Sequence, residues 1–158
     1  MAKIKSALKN LYLKMVGEEA TPTFIARGWA IGMFYGCLIP FGFQLLLSIP
    51  TAIILRGSKI GATLGTFISN HFTVFVMYPA QCYAGSKLLG NGLSYGTIKD
   101  AMITVINQHT WDSLLQCGTD LVASFFVGGA LLAAVMTPIT YFGVKHIVLK
   151  NRARKASN

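Results

Sequence analysis

Residues 28–55 read GWAIGMFYGCLIPFGFQLLLSIPTAIIL, a stretch without Asp, Glu, Lys or Arg that we call run A. A helix needs about 20 predominantly apolar residues to cross a bilayer, and run A exceeds that length. Near its middle, Pro40 removes a helix hydrogen-bond donor, and Gly42 supplies a flexible φ. The sequence therefore predicts that run A is broken near its centre.

Basic residues flank run A at both ends, with Arg27 before it and Arg56 and Lys59 after it. Lys and Arg next to membrane segments favour the cytoplasmic side of the bilayer. If both flanks lie on that side, run A cannot be a simple span, and a re-entrant helical hairpin fits both the charges and the break. The alternative is an ordinary kinked span, with Arg56 and Lys59 on the opposite side.

In such a hairpin, residues 28–39 enter the membrane and residues 43–55 return to the same side. Each arm has about 12 residues, or roughly 18 Å of helix, which is about half of a bilayer. Backbone that is broken at membrane depth persists only where it is buried in protein or faces water. The tip at 40–44 is therefore a candidate site.

The composition of the whole chain agrees with a membrane protein. Of its 158 residues, 53% are hydrophobic and 12% are charged, whereas an average soluble domain is about a quarter charged. Such a chain is neither an ordinary soluble globule nor disordered. Two further charge-free stretches, run B at 60–86 and run C at 121–144, are also long enough to cross. We predict an all-α, small polytopic integral membrane protein with about two to four membrane-crossing segments.

Charge also predicts the topology. Residues 1–27 and the basic tail at 145–158 carry an excess of Lys and Arg, whereas residues 87–120 carry more Asp than Lys. The bias of Lys and Arg toward the cytoplasm then places both termini inside. Run B would cross outward, and run C would return as a transmembrane helix over 121–144.

Two amphipathic helices are predicted outside the charge-free runs. Residues 1–20 place apolar side chains at helical spacing with the lysines largely off that stripe. This helix suits anionic headgroups or, alternatively, the cytoplasmic face of the protein itself. Residues 94–112 repeat the pattern on the outer side and include Trp111, a residue type that anchors helices at the interface.

Glycines recur every four residues at two places in the chain. Such spacing gives a smooth helix face on which another backbone can pack closely. We predict packing within one chain, which a re-entrant hairpin needs, and an interface between copies is the alternative. The helix-packing residues are Gly28, Gly32 and Gly36 in the first series and Gly57, Gly61 and Gly65 in the second.

Several polar side chains inside the charge-free runs are candidates for binding or for hydrogen bonds between helices. They are Gln44, Asn70, His71, Thr73 and Gln81. Polar groups in hydrocarbon are costly unless they are paired or face a cavity. One interpretation is a polar pocket at mid-depth, with basic residues at its mouth attracting an anionic headgroup. The other is a set of hydrogen bonds that hold the hairpin against run B. The candidate substrate-binding residues are Pro40, Gly42, Gln44, Asn70, His71, Thr73, Arg27, Arg56 and Lys59.

An enzyme is not expected, because no carboxylate lies within any charge-free run to serve in acid–base catalysis. The three histidines are far apart and the three cysteines form no C-x-x-C pair, so we predict no metal site and no cofactor. Nucleic acid is not an expected partner, because the basic residues sit at segment ends and not on one face. The expected partners are membrane lipids and either a second copy or another membrane protein.

Three segments, GWAIGMFYGCLIPFGFQ, ILRGSKIGATLGTFISNHFT and YPAQCYAGSKLLG, resemble a bacterial membrane protein family catalogued as domain of unknown function 2062. The resemblance covers residues 24–90 well and residues 120–146 only as a hydrophobic segment. The chain departs from the family pattern at two places. His71 occupies a position where the family usually has Pro, so whether run B is broken at Asn70–His71 stays open. Ser58 or Lys59 occupies the position of the Asn that the family usually has in the turn after run A. The matching positions are Gly28, Gly32, Gly36, Pro40, Gly42, Gln44, Arg56, Gly65, Thr66, Asn70, Thr73, Tyr83 and Gly85.

The resemblance implies a single membrane domain over residues 1–158, in the bacterial inner membrane. Some family members resemble parts of larger proteins with glycosyltransferase domains, which points to lipid-linked envelope chemistry. The tip is also similar to the re-entrant hairpins of small lipid-carrier translocases. We therefore expect a small transporter or binder of an anionic lipid or lipid-linked envelope intermediate. The alternative is a non-catalytic structural or accessory subunit that assembles through its glycine faces, and a small-solute channel is less favoured.

Overall fold

The structure is a computed structural model, and it describes residues 20–40, 42–67, 71–108 and 118–156. The described residues form six helices and no β-strand, so the predicted all-α class is confirmed. The amphipathic helix expected over residues 1–20 lies, apart from Ala20, outside the described residues. The helices are α1 (Pro22–Leu38), α2 (Gln44–Ile54), α3 (Lys59–Thr66), α4 (His71–Leu89), α5 (Tyr95–Gln108) and α6 (Thr119–Ala156).

Run A is broken where the sequence predicts it. α1 ends at Leu38, and Ile39 is extended, with φ −105° and ψ 137°, because the proline that follows it disfavours the helical conformation. Gly42 has φ +102°, a left-handed conformation that residues with a side chain rarely adopt. α2 then begins at Gln44.

The two helices of run A fold back on each other, so the predicted helical hairpin is present. The Nη1 atom of Arg27 donates to the carbonyl oxygens of Leu55, at 2.6 Å, and Arg56, at 3.3 Å. Further along, the hydroxyl oxygens of Tyr35 and Thr51 lie 2.9 Å apart. The start of run A therefore lies beside its end, so its two helices form a hairpin and not one kinked helix.

α3 lies along α1 and runs in the same direction. The two glycine series meet at this contact, because a Cβ at Gly28 would overlap the carbonyl oxygen of Ser58, and a Cβ at Gly32 would overlap that of Ala62. A Cβ at Gly65 would lie 2.6 Å from the carbonyl oxygen of Trp29, on α1. Side chains at these positions would hold the two backbones apart, so Gly28, Gly32 and Gly65 lie where α1 and α3 pack within one chain.

Run B forms two helices where we expected one crossing helix. α3 ends at Thr66 and α4 begins at His71, and residues 68–70 between them lie outside the described part. α3 packs on α1, whereas α4 packs on the N-terminal half of α6. Both run antiparallel to α6, so they continue across the protein in one direction.

α6 is the longest element, with 38 residues, or about 57 Å of helix. Its N-terminal half contacts α4, with Phe125 against Tyr78, and its C-terminal half contacts α1, with Val148 against Ile25. Near its middle, Ala133 packs on the last two turns of α1. α6 therefore joins the two halves of the protein, and α1 ends close to its midpoint.

α6 is longer than the helix predicted over 121–144. It continues through the basic tail to Ala156, where Lys and Arg suit the negative end of the helix dipole. Within the described part of the chain, the stretch Thr119–Arg154 is the one helix that is both long and apolar enough to cross a bilayer, with a mean hydropathy of 2.0. α2 is apolar but shorter than a span.

The helix predicted over 94–112 begins at Tyr95 and ends at Gln108. Its Ile98 is fully buried where α4 meets α6, so part of its apolar surface packs on the protein. Trp111, the expected anchor of this segment, lies outside the described residues.

Candidate functional site

The break at the hairpin tip is held together by Gln44, which is 3% exposed. Its Nε2 atom donates to the carbonyl oxygens of Gly36, at 3.2 Å, and Ile39, at 3.0 Å. The Gly36 carbonyl would pair with the N–H of residue 40 in a continuous helix, but Pro40 has no N–H. The Gln44 amide therefore supplies the donor that the proline removes, and it ties α2 to the end of α1.

Tyr78, on α4, reaches the tip from the side of run B. Its hydroxyl donates to the Ile39 carbonyl oxygen at 3.4 Å, and its ring meets the edge of the Phe125 ring, with centroids 5.0 Å apart. This contact is a hydrogen bond between the hairpin and run B, as one of the two interpretations expects. Sequence analysis did not single out Tyr78, although a buried tyrosine hydroxyl usually needs a partner.

The remaining tip candidates are partly described. Pro40 is buried and Gly42 is exposed. Asn70 lies outside the described residues, and of His71 only the backbone, at the start of α4, is described. Thr73 is exposed and lines a groove between α4 and α6. The described candidates thus divide between the packed tip and this groove.

The basic candidates lie at the base of the hairpin, where its two ends meet. Arg27 is half-buried and bonded to the carbonyl oxygens that end α2, whereas Arg56 and Lys59 are exposed. Arg56 has φ +51° in a turn that brings the Gly57 N–H to the Ala52 carbonyl oxygen at 2.7 Å. This short turn presents two cations at one end of the protein.

The basic C-terminal turns of α6 reach the same end of the protein. Arg152 donates to the carbonyl oxygen of Ala20, just before α1 begins. The acidic residues in the described part of the chain, Asp100 and Asp120, lie at the opposite end, in α5 and in the first turn of α6. Charge is therefore polarised along the axis of α6.

An open groove of about 750 Å³ separates part of α4 from α6. Its walls are almost entirely apolar and include Val76 and Met77 of α4 and Leu131 and Val135 of α6. Beyond the groove the two helices touch, since a Cβ at Gly85 would overlap the carbonyl oxygen of Ser124. Sequence analysis did not predict this groove, because the apolar residues that form it look like any other lipid-facing or core residues.

Gln81 is the buried polar residue of the groove, and it is 3% exposed. Its Nε2 atom donates to the Phe125 carbonyl oxygen at 3.0 Å. Its Oε1 atom is buried and accepts no hydrogen bond from the described residues. A buried acceptor left without a donor costs on the order of 1–3 kcal/mol. Sequence analysis named Gln81 as polar but left it out of the candidate site.

The sequence profile of a family described as "Uncharacterized protein conserved in bacteria (DUF2062)" matches residues 5–157. The chain belongs to this family. The match extends beyond residues 24–90 and leaves out the first four residues and the last one, so the predicted resemblance is confirmed over more of the chain. No curated protein and no solved structure matches the chain.

The residues by which the chain resembles the DUF2062 family fall mainly at helix contacts and at the hairpin break. Gly28 and Gly32 lie between α1 and α3, and Gly85 lies between α4 and α6. Gln44 bonds the end of α1. Tyr83 is exposed on α4, with its ring 5.8 Å from that of Tyr95. Most of these positions serve the fold, whereas the basic end and the groove are surfaces that a ligand could contact.

Proposed function

We propose that this protein is an integral protein of the bacterial inner membrane that binds an anionic lipid or a lipid-linked envelope intermediate and helps it across the bilayer. The observation that carries the proposal is the base of the hairpin. The hydrogen bond from Arg27 to Leu55 holds both ends of a charge-free stretch together, beside the exposed Arg56 and Lys59. Each cation near a membrane surface attracts anionic headgroups by about 1 kcal/mol.

The packing of α1 on α6 supports a hairpin that re-enters the membrane. Val148, near the basic end of α6, contacts the start of α1, and Ala133, near its middle, contacts the end. From Arg27 to Leu38, α1 rises about 17 Å, roughly half of a 30 Å hydrocarbon core. The end of α1 then lies near mid-depth, where Tyr78 of α4 bonds the Ile39 carbonyl oxygen and Ala133 of α6 packs on Cys37, although Gly42 is exposed.

Exposed apolar side chains also support a membrane setting. More than half of the surface of Leu46, Ile54, Val76 and Phe142 is exposed. Soluble monomers rarely expose large apolar patches, whereas helices that face lipid do so along their length. In this setting α3 and α4 together form one crossing and α6 forms a second. The basic end lies in the cytoplasm with both termini.

A second candidate function is a non-catalytic accessory subunit. The tip favours it, because the Gln44 amide and the Tyr78 hydroxyl already bond carbonyl oxygens of the chain itself. Such a tip stabilises the hairpin without needing a ligand. The basic end would then meet the same lipids as any other membrane protein.

The test measures which lipids the full chain retains when it is extracted into nanodiscs from its own membrane. Native mass spectrometry gives the ratio of anionic to zwitterionic lipid bound to the protein. We expect the wild-type protein to retain anionic lipid above the bulk ratio. The double variant Arg56→Ala/Lys59→Ala should fall toward the bulk ratio, because it removes the two cations at the hairpin base.

The matched control is Lys87→Ala/Lys99→Ala, which removes two exposed lysines from the opposite end of the protein. It has the same change in net charge and should keep the enrichment. Retention of lipid at the bulk ratio by the wild-type protein would contradict the proposal. Equal loss in both double variants would also contradict it, and either result would favour the accessory subunit.

A further inference from the structure

One face of α6 is exposed from the middle of the helix to its end, and its chemistry changes along the way. Its members are spaced by three or four residues, so they lie on the same side of the helix and form one row. We call this face the α6 row, and it consists of the exposed residues Val135, Ile139, Phe142, His146, Lys150 and Arg154. The first three residues are apolar and the last three are of basic types, so the row is amphiphilic along the helix axis.

The α6 row lies opposite the face by which α6 packs on the hairpin. That face includes Val148, which is fully buried beside Ile25 at the start of α1. With about 100° of rotation per residue, Lys150 points about 200° around the helix from Val148. Because α6 is about 10–12 Å across with its side chains, one phosphate cannot contact both the row and the hairpin base. The row is therefore separate from Arg56 and Lys59.

The point at which the row changes from apolar to basic lies level with the hairpin base. α1 and α6 are antiparallel and Ile25 lies beside Val148, so Arg27, two residues further along α1, is level with about residue 146. From Val135 to His146 the row rises about 17 Å, close to the depth of one leaflet of a bilayer whose hydrocarbon core is about 30 Å thick. The apolar part of the row therefore matches acyl chains and the basic part matches headgroups.

Charge disfavours two occupants that come from the chain itself. A second copy in the same orientation would bring its own basic end to this level, since the described acidic residues, Asp100 and Asp120, lie at the opposite end. Residues 1–19 carry four lysines and two glutamates, so their net charge is also positive. An anionic lipid complements both parts of the row, because acyl chains cover its apolar side chains and a phosphate meets its cations.

We propose that the α6 row binds one anionic phospholipid of the cytoplasmic leaflet, with its phosphate at Lys150 and Arg154 and an acyl chain along Phe142 and Ile139. The inference rests on the proposed function for the placement of α6 in a bilayer. It goes beyond that function because it adds a second headgroup site with residues of its own. Helix side chains lean toward the N-terminus, which for α6 is toward the membrane, so both cations lean toward the phosphate layer.

The test counts lipids on the full chain in nanodiscs of phosphatidylcholine that contain a small fraction of phosphatidylglycerol. Native mass spectrometry gives the number of phosphatidylglycerol molecules that each chain retains. We expect two on the wild-type protein, and one each on Lys150→Gln/Arg154→Gln and on Arg56→Ala/Lys59→Ala. In the first variant the affinity of the lost lipid should fall by about five- to thirtyfold, since each cation near a membrane surface contributes about fivefold.

Two control variants separate charge at the row from net charge and from the fold. The exchange Lys150→Arg/Arg154→Lys keeps both cations and should retain two lipids. Lys87→Gln/Lys99→Gln removes two exposed lysines at the opposite end of the protein, and it should also retain two. Because all four positions are exposed, each variant should fold as the wild-type protein does, and the same spectra report its oligomeric mass.

Tryptophan fluorescence tests where the acyl chain lies. Phe142→Trp places a fluorophore on the apolar part of the row, and the emission of the wild-type protein is subtracted. Phosphatidylglycerol with brominated chains should quench it more strongly than brominated phosphatidylcholine, and Lys150→Gln/Arg154→Gln should abolish the difference. Val76→Trp is the matched control, because Val76 is exposed on α4 away from the basic end, and both lipids should quench it equally.

Three results would overturn the inference: an unchanged lipid count in Lys150→Gln/Arg154→Gln, an equal loss in the lysine control, or equal quenching of Phe142→Trp by the two lipids. If Lys150→Gln/Arg154→Gln changes only the oligomer mass, a second copy covers the row and the inference is also wrong. The two proposals fail separately. If Arg56→Ala/Lys59→Ala keeps both lipids while Lys150→Gln/Arg154→Gln loses one, the site on α6 stands and the headgroup site at the hairpin base does not.

Discussion

Two halves of the protein differ in how their buried polar groups are hydrogen-bonded. The hairpin half comprises α1 to α3, and the groove half comprises α4 with the N-terminal part of α6. In the hairpin half the helix is broken, yet Gln44 and Tyr78 donate to the carbonyl oxygens at the break. In the groove half the helices are continuous, yet a buried oxygen of Gln81 has no donor among the described residues. Irregular backbone therefore does not by itself mark a binding site.

The two halves also differ in how closely their helices approach. α1 and α3 approach closely at Gly28, Gly32 and Gly65, whereas α4 and α6 approach closely at Gly85 and Gly128, and Gly128 also lines the groove.

The largest effect is expected from a side chain placed in the glycine contact of the hairpin half. Gly32→Leu should abolish the folded state, because its Cβ would overlap the Ala62 carbonyl oxygen on α3 and neither backbone can yield. We expect a loss on the order of 4 kcal/mol or more. Size-exclusion profiles in mild detergent measure the folded fraction. Gly143→Leu is the control and should fold normally, since nothing lies within 4 Å of its Cβ. Equal behaviour of the two variants would show that the glycine contact does not hold the hairpin.

A smaller effect should distinguish the two buried glutamines. Gln44→Leu leaves two carbonyl oxygens of the break without their donor and should lower the free energy of unfolding by about 2–3 kcal/mol. Gln81→Leu loses one hydrogen bond but also removes an unpaired buried oxygen, so its cost should be about 1 kcal/mol or less. Denaturant titration in detergent gives both values. The contrast between the halves fails if Gln81→Leu is the more damaging substitution.

Effects of about 2 kcal/mol or less are expected from the two turns that have positive φ. Arg56→Gly should raise the free energy of unfolding by about 0.5–1 kcal/mol, because glycine adopts φ +51° without strain. Gly42→Ala, at φ +102°, should lower it by about 1–2 kcal/mol. The same denaturant titration checks both signs. A loss of stability in Arg56→Gly would mean that the arginine side chain stabilises the turn by more than its backbone strain costs.

Local sequence rules predicted the parts of the fold that depend on local chemistry. Pro40 and Gly42 restrict the backbone whatever surrounds them, so the break and the hairpin could be predicted. The glycine spacing predicted which faces pack, because close approach of two helices needs small residues. The extension of α6 to Ala156 was not predicted. The basic residues that follow run C indicate where a membrane boundary lies, but they do not indicate that the helix ends there.

Features that depend on how distant helices meet could not be predicted in the same way. No proline or glycine lies between Phe67 and His71, so the local rule that predicted the break of run A did not apply to run B, and the resemblance left a break at Asn70–His71 open. The groove lies between α4 and α6, which are far apart along the chain, so only their relative placement shows it. Gln81 was recognised as polar, but whether its oxygen has a donor depends on Phe125, 44 residues away along the chain.

The central claim is that both ends of run A lie on one side of the bilayer, and single-cysteine labelling in intact cells tests it most directly. With Cys37, Cys82 and Cys117 replaced by serine or alanine, cysteines are placed at Thr21, at Lys59 and at Ser94, which are all exposed. With a membrane-impermeant maleimide, Lys59→Cys and Thr21→Cys should react only after permeabilisation, whereas Ser94→Cys should react in intact cells. Reaction of Thr21→Cys and Lys59→Cys from opposite sides would contradict the re-entrant hairpin.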